Sequence, residues 1–182
     1  MKQIAIIKKI IKHYKKIGIG IAIMFLLSFF VNVKLILFIV LAIFSNTWLA
    51  LLQMKFSMPS DFELSTLAVV IATLVFGLKI GIFVAITTKL VATILRGKII
   101  IDNVFQIMSY SLAAIFVSWF SGGDIVVLGL LATFIANMFM FTISQFLLGV
   151  SLFDNLAYTL TNVFGNFLFF TIIANPIYLI MK

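Results

Sequence analysis

Long runs of apolar residues dominate this sequence and limit what it can fold into. Of its 182 residues, 64% are hydrophobic and only 10% are charged, which leaves too few polar side chains to cover a water-soluble core. Within a bilayer, a helix satisfies all its backbone polar groups internally, and about 20 apolar residues are enough to cross. The sequence therefore predicts an all-α integral membrane protein that crosses the cell membrane several times. The apolar runs cover residues 17–33, 35–52, 64–78, 80–95, 103–120, 125–150 and 156–181.

The first sixteen residues differ from the rest because they contain six lysines, which alternate with isoleucines at helical spacing. Such a segment is typical of a basic amphipathic helix that lies on an anionic cytoplasmic membrane surface. We therefore predict a cytoplasmic segment at 1–16 and a single transmembrane helical domain at 17–182. Nucleic acid is not an expected partner, because the residues that follow enter the bilayer.

The number of spans is six or seven, depending on whether residues 17–33 cross separately. With a cytoplasmic N-terminus, six spans place Lys79 and Lys182 inside and Lys55 and Arg96 outside, whereas seven spans reverse this. Both arrangements give the same excess of cations inside. The positive-inside rule therefore predicts the orientation of the N-terminus and leaves the count open.

The stretch from Met58 to Leu95 has the most distinctive pattern. Two apolar runs, 64–78 and 80–95, are separated only by Lys79, which stands between Gly77 and Gly81. Each run is shorter than a typical span. We expect two short helices, closely coupled through the glycines.

Polar residues in the last three runs follow helical spacing, so that each set projects from one side of its helix. Carboxamides donate and accept hydrogen bonds, and three such faces predict a cavity that binds a small polar ligand. The alternative is that these amides hold helices together, as polar side chains do in membrane bundles. The three sets are Asn103, Gln106 and Tyr110; Thr133, Asn137 and Ser144; and Asn162 with Asn166.

Lys89 is the one cation in the middle of a predicted span. A charge at that depth requires a partner, a wet cavity or a path to the interface. Two interpretations stay open: an ion pair with Asp61 or Glu63, or contact with an anionic ligand.

Chemistry at a catalytic centre is not expected. The chain has no cysteine, and its single histidine, His13, lies among the N-terminal lysines. Nucleotide-binding, serine-hydrolase and zinc-protease motifs are absent from the sequence. We therefore predict a protein that is not an enzyme and has neither a metal site nor a cofactor.

Several motifs resemble those of the S components of energy-coupling-factor (ECF) transporters, the substrate-capturing membrane subunits of vitamin importers. The polar residues Asp61-Phe62-Glu63-Leu64 precede a short helix that ends in Phe76-Gly77, and Gly81 begins the next helix. Asn162-Val163-Phe164-Gly165-Asn166 and Asn175-Pro176 are similar to C-terminal helices of that family. The resemblance extends loosely over residues 35–182.

The resemblance implies a bundle of six transmembrane helices that binds a vitamin or similar small molecule for uptake. Its partners would be the substrate, the lipid bilayer, a transmembrane coupling subunit and ATPases that drive reorientation. The loop before Ser65 would form a lid near the outer surface, with Asp61 and Glu63 as lid residues. The expected substrate-binding residues are Lys89, Asn103, Gln106, Tyr110, Asn137, Asn162 and Asn166.

A second family, the MreD-like rod-shape proteins, resembles the chain in size, helix count and its glycine-punctuated pair of middle helices. It would imply a membrane scaffold without a small-molecule substrate. The acidic residue usual after the second glycine-flanked helix of that family is missing, and Lys89 lies nearby instead.

Overall fold

The structure, a computed structural model, describes residues 32–56, 62–97 and 101–182. The chain divides into two compact units, residues 1–37 and 38–182. Of the first unit only residues 32–37 are described, and all contacts discussed below lie within the second. The predicted basic segment at 1–16, most of the run at 17–33, and Asp61 lie outside the described residues, so the predictions for them stay predictions.

Six helices make up the described parts of the chain, which contain no strand. Five of these helices, all except α2, are long and apolar enough to cross a membrane. This confirms an all-α, multi-pass membrane bundle. The helices are α1 (Val33–Lys55), α2 (Ser65–Phe76), α3 (Leu78–Arg96), α4 (Ile101–Trp119), α5 (Ile125–Phe146) and α6 (Leu152–Met181), the last with a π-helical turn at Phe170–Ala174.

The short helix α2 forms the centre of the bundle. Its 12 residues make it about 18 Å long, against a hydrocarbon core of about 30 Å. Residues 65–73 are all buried, and α2 packs against α3, α4, α5 and α6. A helix that is apolar on every side is stable only when it is surrounded. The described helices are thus five long ones and a short core helix, as expected from the shortness of the run 64–78, and the choice between six and seven spans stays a prediction.

Gly77 alone connects α2 to α3. It has a φ of +89°, a conformation that side-chain-bearing residues rarely adopt, and its carbonyl accepts the N–H groups of Ile80 and Gly81 at 3.1 Å. A Cβ atom on Gly81 would overlap the Thr73 hydroxyl, so glycine permits the close approach of the two helices. This confirms the glycine-coupled pair. The second helix is not short, however, because α3 begins before Lys79 and runs for 19 residues.

The π turn in α6 lies where the ring of Phe170 enters the core. This side chain is fully buried against Gly129 of α5, where a Cβ atom would overlap the ring. Pro176 follows shortly and has no N–H for the carbonyl of Ile172, which is within the π turn. Lengthened hydrogen bonding in a π turn is a usual way to accommodate such a lost backbone partner.

Helices α2 to α6 are joined by short connections and therefore alternate in direction. The C-terminal ends of α3 and α5 consequently lie at the same end of the bundle as the N-terminal ends of α2, α4 and α6. We call this the Arg96 end.

Side chains cap the starts of α5 and α6. Asp124 Oδ1 accepts the N–H groups of Val126 and Val127 at 2.9 and 3.0 Å, and Ser151 caps α6.

Candidate ligand-binding site

The segment 62–64, just before α2, is fixed inside the bundle at the Arg96 end. Gln53 of α1 donates to the carbonyl of Phe62 at 2.6 Å, and Asn46 of α1 accepts the N–H of Leu64 at 3.1 Å. The ring of Phe62 lies against Gly165 of α6, where a Cβ atom would meet it. Residues from both ends of the chain thus hold this segment.

Glu63 forms a buried ion pair with Lys89 of α3, and the hydroxyl of Tyr110 on α4 donates to its other carboxylate oxygen. The side chains of all three residues are almost completely buried. Lys89 Nζ also lies 6.0 Å from the centroid of the Tyr110 ring. The structure thus contains the first of the two interactions considered for Lys89. Glu63, predicted as a lid residue, lies in the interior.

Three buried hydroxyl groups near the start of α2 have no hydrogen-bond partner among the described residues. They belong to Thr47, Ser65 and Thr66. Ser65 and Thr66 directly follow segment 62–64, which is the last part of the predicted lid, and Thr47 is next to Asn46, which bonds to Leu64. Residues 57–61 of that lid lie outside the described residues, so its role stays a prediction.

One face of α4 connects the ion pair to the surface of the Arg96 end. Asp102, Gln106 and Tyr110 are spaced four residues apart and therefore lie on the same side of the helix. Gln106 donates through Nε2 to Asp102 Oδ2 at 3.0 Å and to the Tyr158 hydroxyl of α6 at 3.2 Å. Its own Oε1 is buried and has no partner among the described residues.

A cleft of about 680 Å³ is present beside this row, partly open at the surface. Its volume falls within the roughly 300–1,000 Å³ that is usual for small-molecule sites. It lies between the start of α4, the end of α5 and the start of α6. The lining combines a larger apolar area with a few polar groups, as ligand pockets generally do. The polar residues of the lining are Asp102, Gln106, Ser144, Asp154, Asn155 and Tyr158.

The three asparagines predicted to bind substrate form a separate cluster in the interior. Asn137 of α5 donates to Asn162 Oδ1 of α6 at 3.0 Å, and Asn166 donates to the same oxygen at 3.0 Å. All three are buried, and none lines the cleft. Their hydrogen bonds join α5 to α6. Asn166 Oδ1, fully buried, has no partner among the described residues.

The structure therefore divides the predicted site residues among three places. Gln106 lines the cleft; Glu63, Lys89 and Tyr110 form the ion-pair cluster; and the three asparagines form the amide cluster. Asn103 is half-buried on α4 and does not line the cleft, and Asp61 lies outside the described residues.

Sequence reasoning missed four polar residues of the cleft: Asp102, Asp154, Asn155 and Tyr158. Asp102 and Asn155 stand directly before the apolar runs 103–120 and 156–181, and they lie in the first turns of α4 and α6. Extending the spacing of Gln106 and Tyr110 back by one turn would have found Asp102. Tyr158 belongs to none of the three sets of polar residues, and no signal in the sequence pairs it with Gln106.

Comparison with known proteins adds no assignment: no family model, no curated protein and no solved structure matches this chain. Within the described residues, no group of three or more His, Cys, Asp or Glu side chains is placed to hold a metal ion. The function must therefore be argued from the geometry of the cleft and of the polar row that leads from it.

Proposed function

We propose that this protein is a membrane-embedded substrate-binding subunit for uptake of a small molecule, such as a vitamin, and that the substrate binds in the cleft at the Arg96 end. The observation that carries the proposal is the side chain of Gln106. It lines the cleft, is only 6% exposed, and has an oxygen without a partner among the described residues. An unsatisfied buried acceptor costs about 1–3 kcal/mol, which a ligand N–H or O–H would recover.

The cleft's shape and lining favour binding of an organic molecule. Apolar residues of three helices, among them Met140, Leu148 and Phe153, form most of the wall. The Gln106 amide is held in place by Asp102 and Tyr158, so its free oxygen has a fixed direction. Preorganised polar groups in an apolar wall give orientation and specificity to a ligand.

Transport would require further chains, because nothing in the described residues supplies an energy source. The resemblance to ECF S components supports a transmembrane coupling subunit with ATPases as partners. In that arrangement the loaded subunit is reoriented by the other chains and performs no chemistry itself.

Thermal unfolding and native mass spectrometry of the gently purified protein test this proposal. We expect a bound small molecule in the wild-type spectrum, and a loss of that molecule in the Gln106→Leu variant. Gln145→Leu is the matched control, because Gln145 has the same buried unpartnered oxygen on α5 but does not line the cleft. Equal retention of the molecule by both variants would reject the cleft as its site.

A second candidate function is a membrane scaffold, such as an MreD-like protein. The amide cluster favours it, since Asn137, Asn162 and Asn166 bond to each other and connect two helices. A scaffold would bring no small molecule through purification and would show no ligand-dependent stabilisation.

A further inference from the structure

The charged residues in the described lining of the cleft are all acidic. They are Asp102 and Asp154, and no lysine or arginine of the described residues lines the cleft. Asp102 is half-buried and accepts a hydrogen bond from Gln106 on Oδ2. Asp154 is exposed at the rim, where Oδ2 accepts from the Ser151 hydroxyl at 2.6 Å.

The nearby cation is engaged by another carboxylate. Lys89 forms a buried ion pair with Glu63, and neither residue lines the cleft. Lys55 and Arg96 lie on other helices at the Arg96 end, and neither lines the cleft. The charges of the described lining therefore favour a cationic over an anionic ligand.

The remaining lining groups specify more about this cation. The Gln106 oxygen is an acceptor without a donor, so it fits an N–H rather than a fully alkylated nitrogen. Phe153 and Tyr158 provide aromatic surface, which attracts cations through the ring face and also packs against apolar rings. The volume of about 680 Å³ admits a molecule larger than a metal ion or a simple ammonium ion.

We propose that the cleft binds an organic cation, a protonated amine or N–H-bearing heterocycle attached to an apolar ring or chain. Its N–H groups donate to the Asp102 carboxylate and to Gln106 Oε1, and its apolar part packs against Phe153 and Met140. This inference rests on the proposed function and names the substrate class of the same site. It differs from the alternative considered for Lys89, an anionic ligand, because the Lys89 ammonium group is already paired with Glu63.

Three probes with one indole ring test the charge preference: tryptamine, which is cationic, tryptophol, which is neutral, and indole-3-acetate, which is anionic. Binding to the purified full-length chain is measured by equilibrium dialysis and by thermal shift. We expect tryptamine to bind at least about tenfold more tightly than tryptophol, because a hydrogen bond to a charged group is the stronger kind. Indole-3-acetate should bind most weakly.

Asp102→Asn preserves the shape of the side chain and removes its charge. It should reduce the preference for tryptamine over tryptophol by about tenfold, for the same reason. The matched control is Asp124→Asn at the opposite end of the bundle, where asparagine caps α5 about as well as aspartate. That variant should retain the wild-type preference.

The possible outcomes separate this inference from the function on which it rests. If tryptophol or indole-3-acetate binds as tightly as tryptamine, and Gln106→Leu abolishes that binding, the cation preference is wrong while the small-molecule site stands. If Asp102→Asn leaves the preference unchanged, the assignment of Asp102 as counter-ion is wrong. If none of the three probes binds and no molecule accompanies the purified protein, both the inference and the proposed function fail.

Discussion

Glu63 and Lys89, 26 residues apart in sequence, form an ion pair inside the helix bundle with less than 5% of either residue exposed. Taking two charges out of water is costly, and their attraction repays that cost only if the remaining hydrogen-bonding sites are also satisfied. Here the Tyr110 hydroxyl satisfies the second carboxylate oxygen. The pair fixes segment 62–64 against α3 and α4 and thereby sets where the core helix α2 begins.

Removing one partner of this pair is expected to destabilise the protein strongly. Lys89→Met leaves Glu63 charged and buried, and breaking a buried pair in this way typically costs about 3–5 kcal/mol. Thermal unfolding in detergent measures the loss. The double variant Glu63→Gln with Lys89→Met removes both charges and should recover most of the stability. If the two substitutions add independently, the pair contributes nothing as a pair.

Asn46 is expected to be the main attachment of α1 to the rest of the bundle. It accepts the N–H of Leu64 at 3.1 Å and donates to the carbonyl of Thr88 at 3.4 Å, while α1 approaches the other helices less closely than they approach each other. Asn46→Leu leaves a buried N–H unpaired and should cost about 1–3 kcal/mol in unfolding free energy. Phe44→Leu, on the exposed side of α1, is the control and should change stability little. Equal effects would show that the hydrogen bonds of Asn46 are unimportant.

Gly129 is expected to tolerate no side chain. Its α5 backbone faces the buried ring of Phe170, and a Cβ atom would overlap that ring. Gly129→Ala should therefore destabilise the protein by about 1–3 kcal/mol, as overpacking of a dense core does. Gly122→Ala is the control, because a Cβ atom there meets no other atom within 4 Å. Restoration of stability in Gly129→Ala by Phe170→Leu would identify the ring as the cause, and failure of that rescue would contradict it.

The sequence predicted the helices well, because apolar runs and glycines act locally. The close coupling of α2 and α3 was predicted from the two neighbouring runs, although they placed the break at Lys79 and the structure has it at Gly77, and the all-α class followed from hydrophobicity alone. The sequence could not show that α2 is surrounded by other helices rather than facing lipid, since both environments favour the same apolar residues.

The site was harder to predict, because a polar residue at helical spacing does not reveal what it faces. Asn137, Asn162 and Asn166 face each other, whereas Gln106 faces a cleft, although both sets of residues follow the same helical spacing. Whether such a residue faces another helix or a cleft depends on the rotation of α4, α5 and α6 about their axes, which long-range packing determines. The Glu63 and Lys89 pair was accessible to prediction because an embedded charge demands a partner.

The direction in which the cleft opens is a separate prediction. Uptake requires the Arg96 end to face outside, with the N-terminus in the cytoplasm. Because the chain has no cysteine, single-cysteine variants report one site each to an impermeant maleimide added to intact cells. Ser57→Cys, between α1 and α2 in the sequence, should be labelled, whereas Ala5→Cys and Ser121→Cys should be protected. The reverse pattern at positions 57 and 121 would support seven spans and exclude uptake through this cleft.

The last prediction concerns which polar cluster holds the ligand. Gln106→Leu should remove ligand-dependent stabilisation while leaving the unliganded protein folded, because it deletes a cleft oxygen that has no protein partner among the described residues. Without the Gln106 amide nitrogen, Asp102 and Tyr158 can bond to water at the cleft surface instead. A ligand at a hundred times its dissociation constant stabilises a protein by about 2.7 kcal/mol, so the missing shift is readily measured by thermal unfolding.

Asn166→Leu is the matched comparison, with a closely similar change from carboxamide to leucine in the amide cluster. It removes the donor that bonds to Asn162 inside the bundle. We expect it to lower the stability of the unliganded protein by about 1 kcal/mol, the net worth of a typical hydrogen bond, and to leave the ligand-dependent shift intact. If Asn166→Leu abolishes the shift and Gln106→Leu preserves it, the ligand binds among the interior asparagines, and the cleft is not its site.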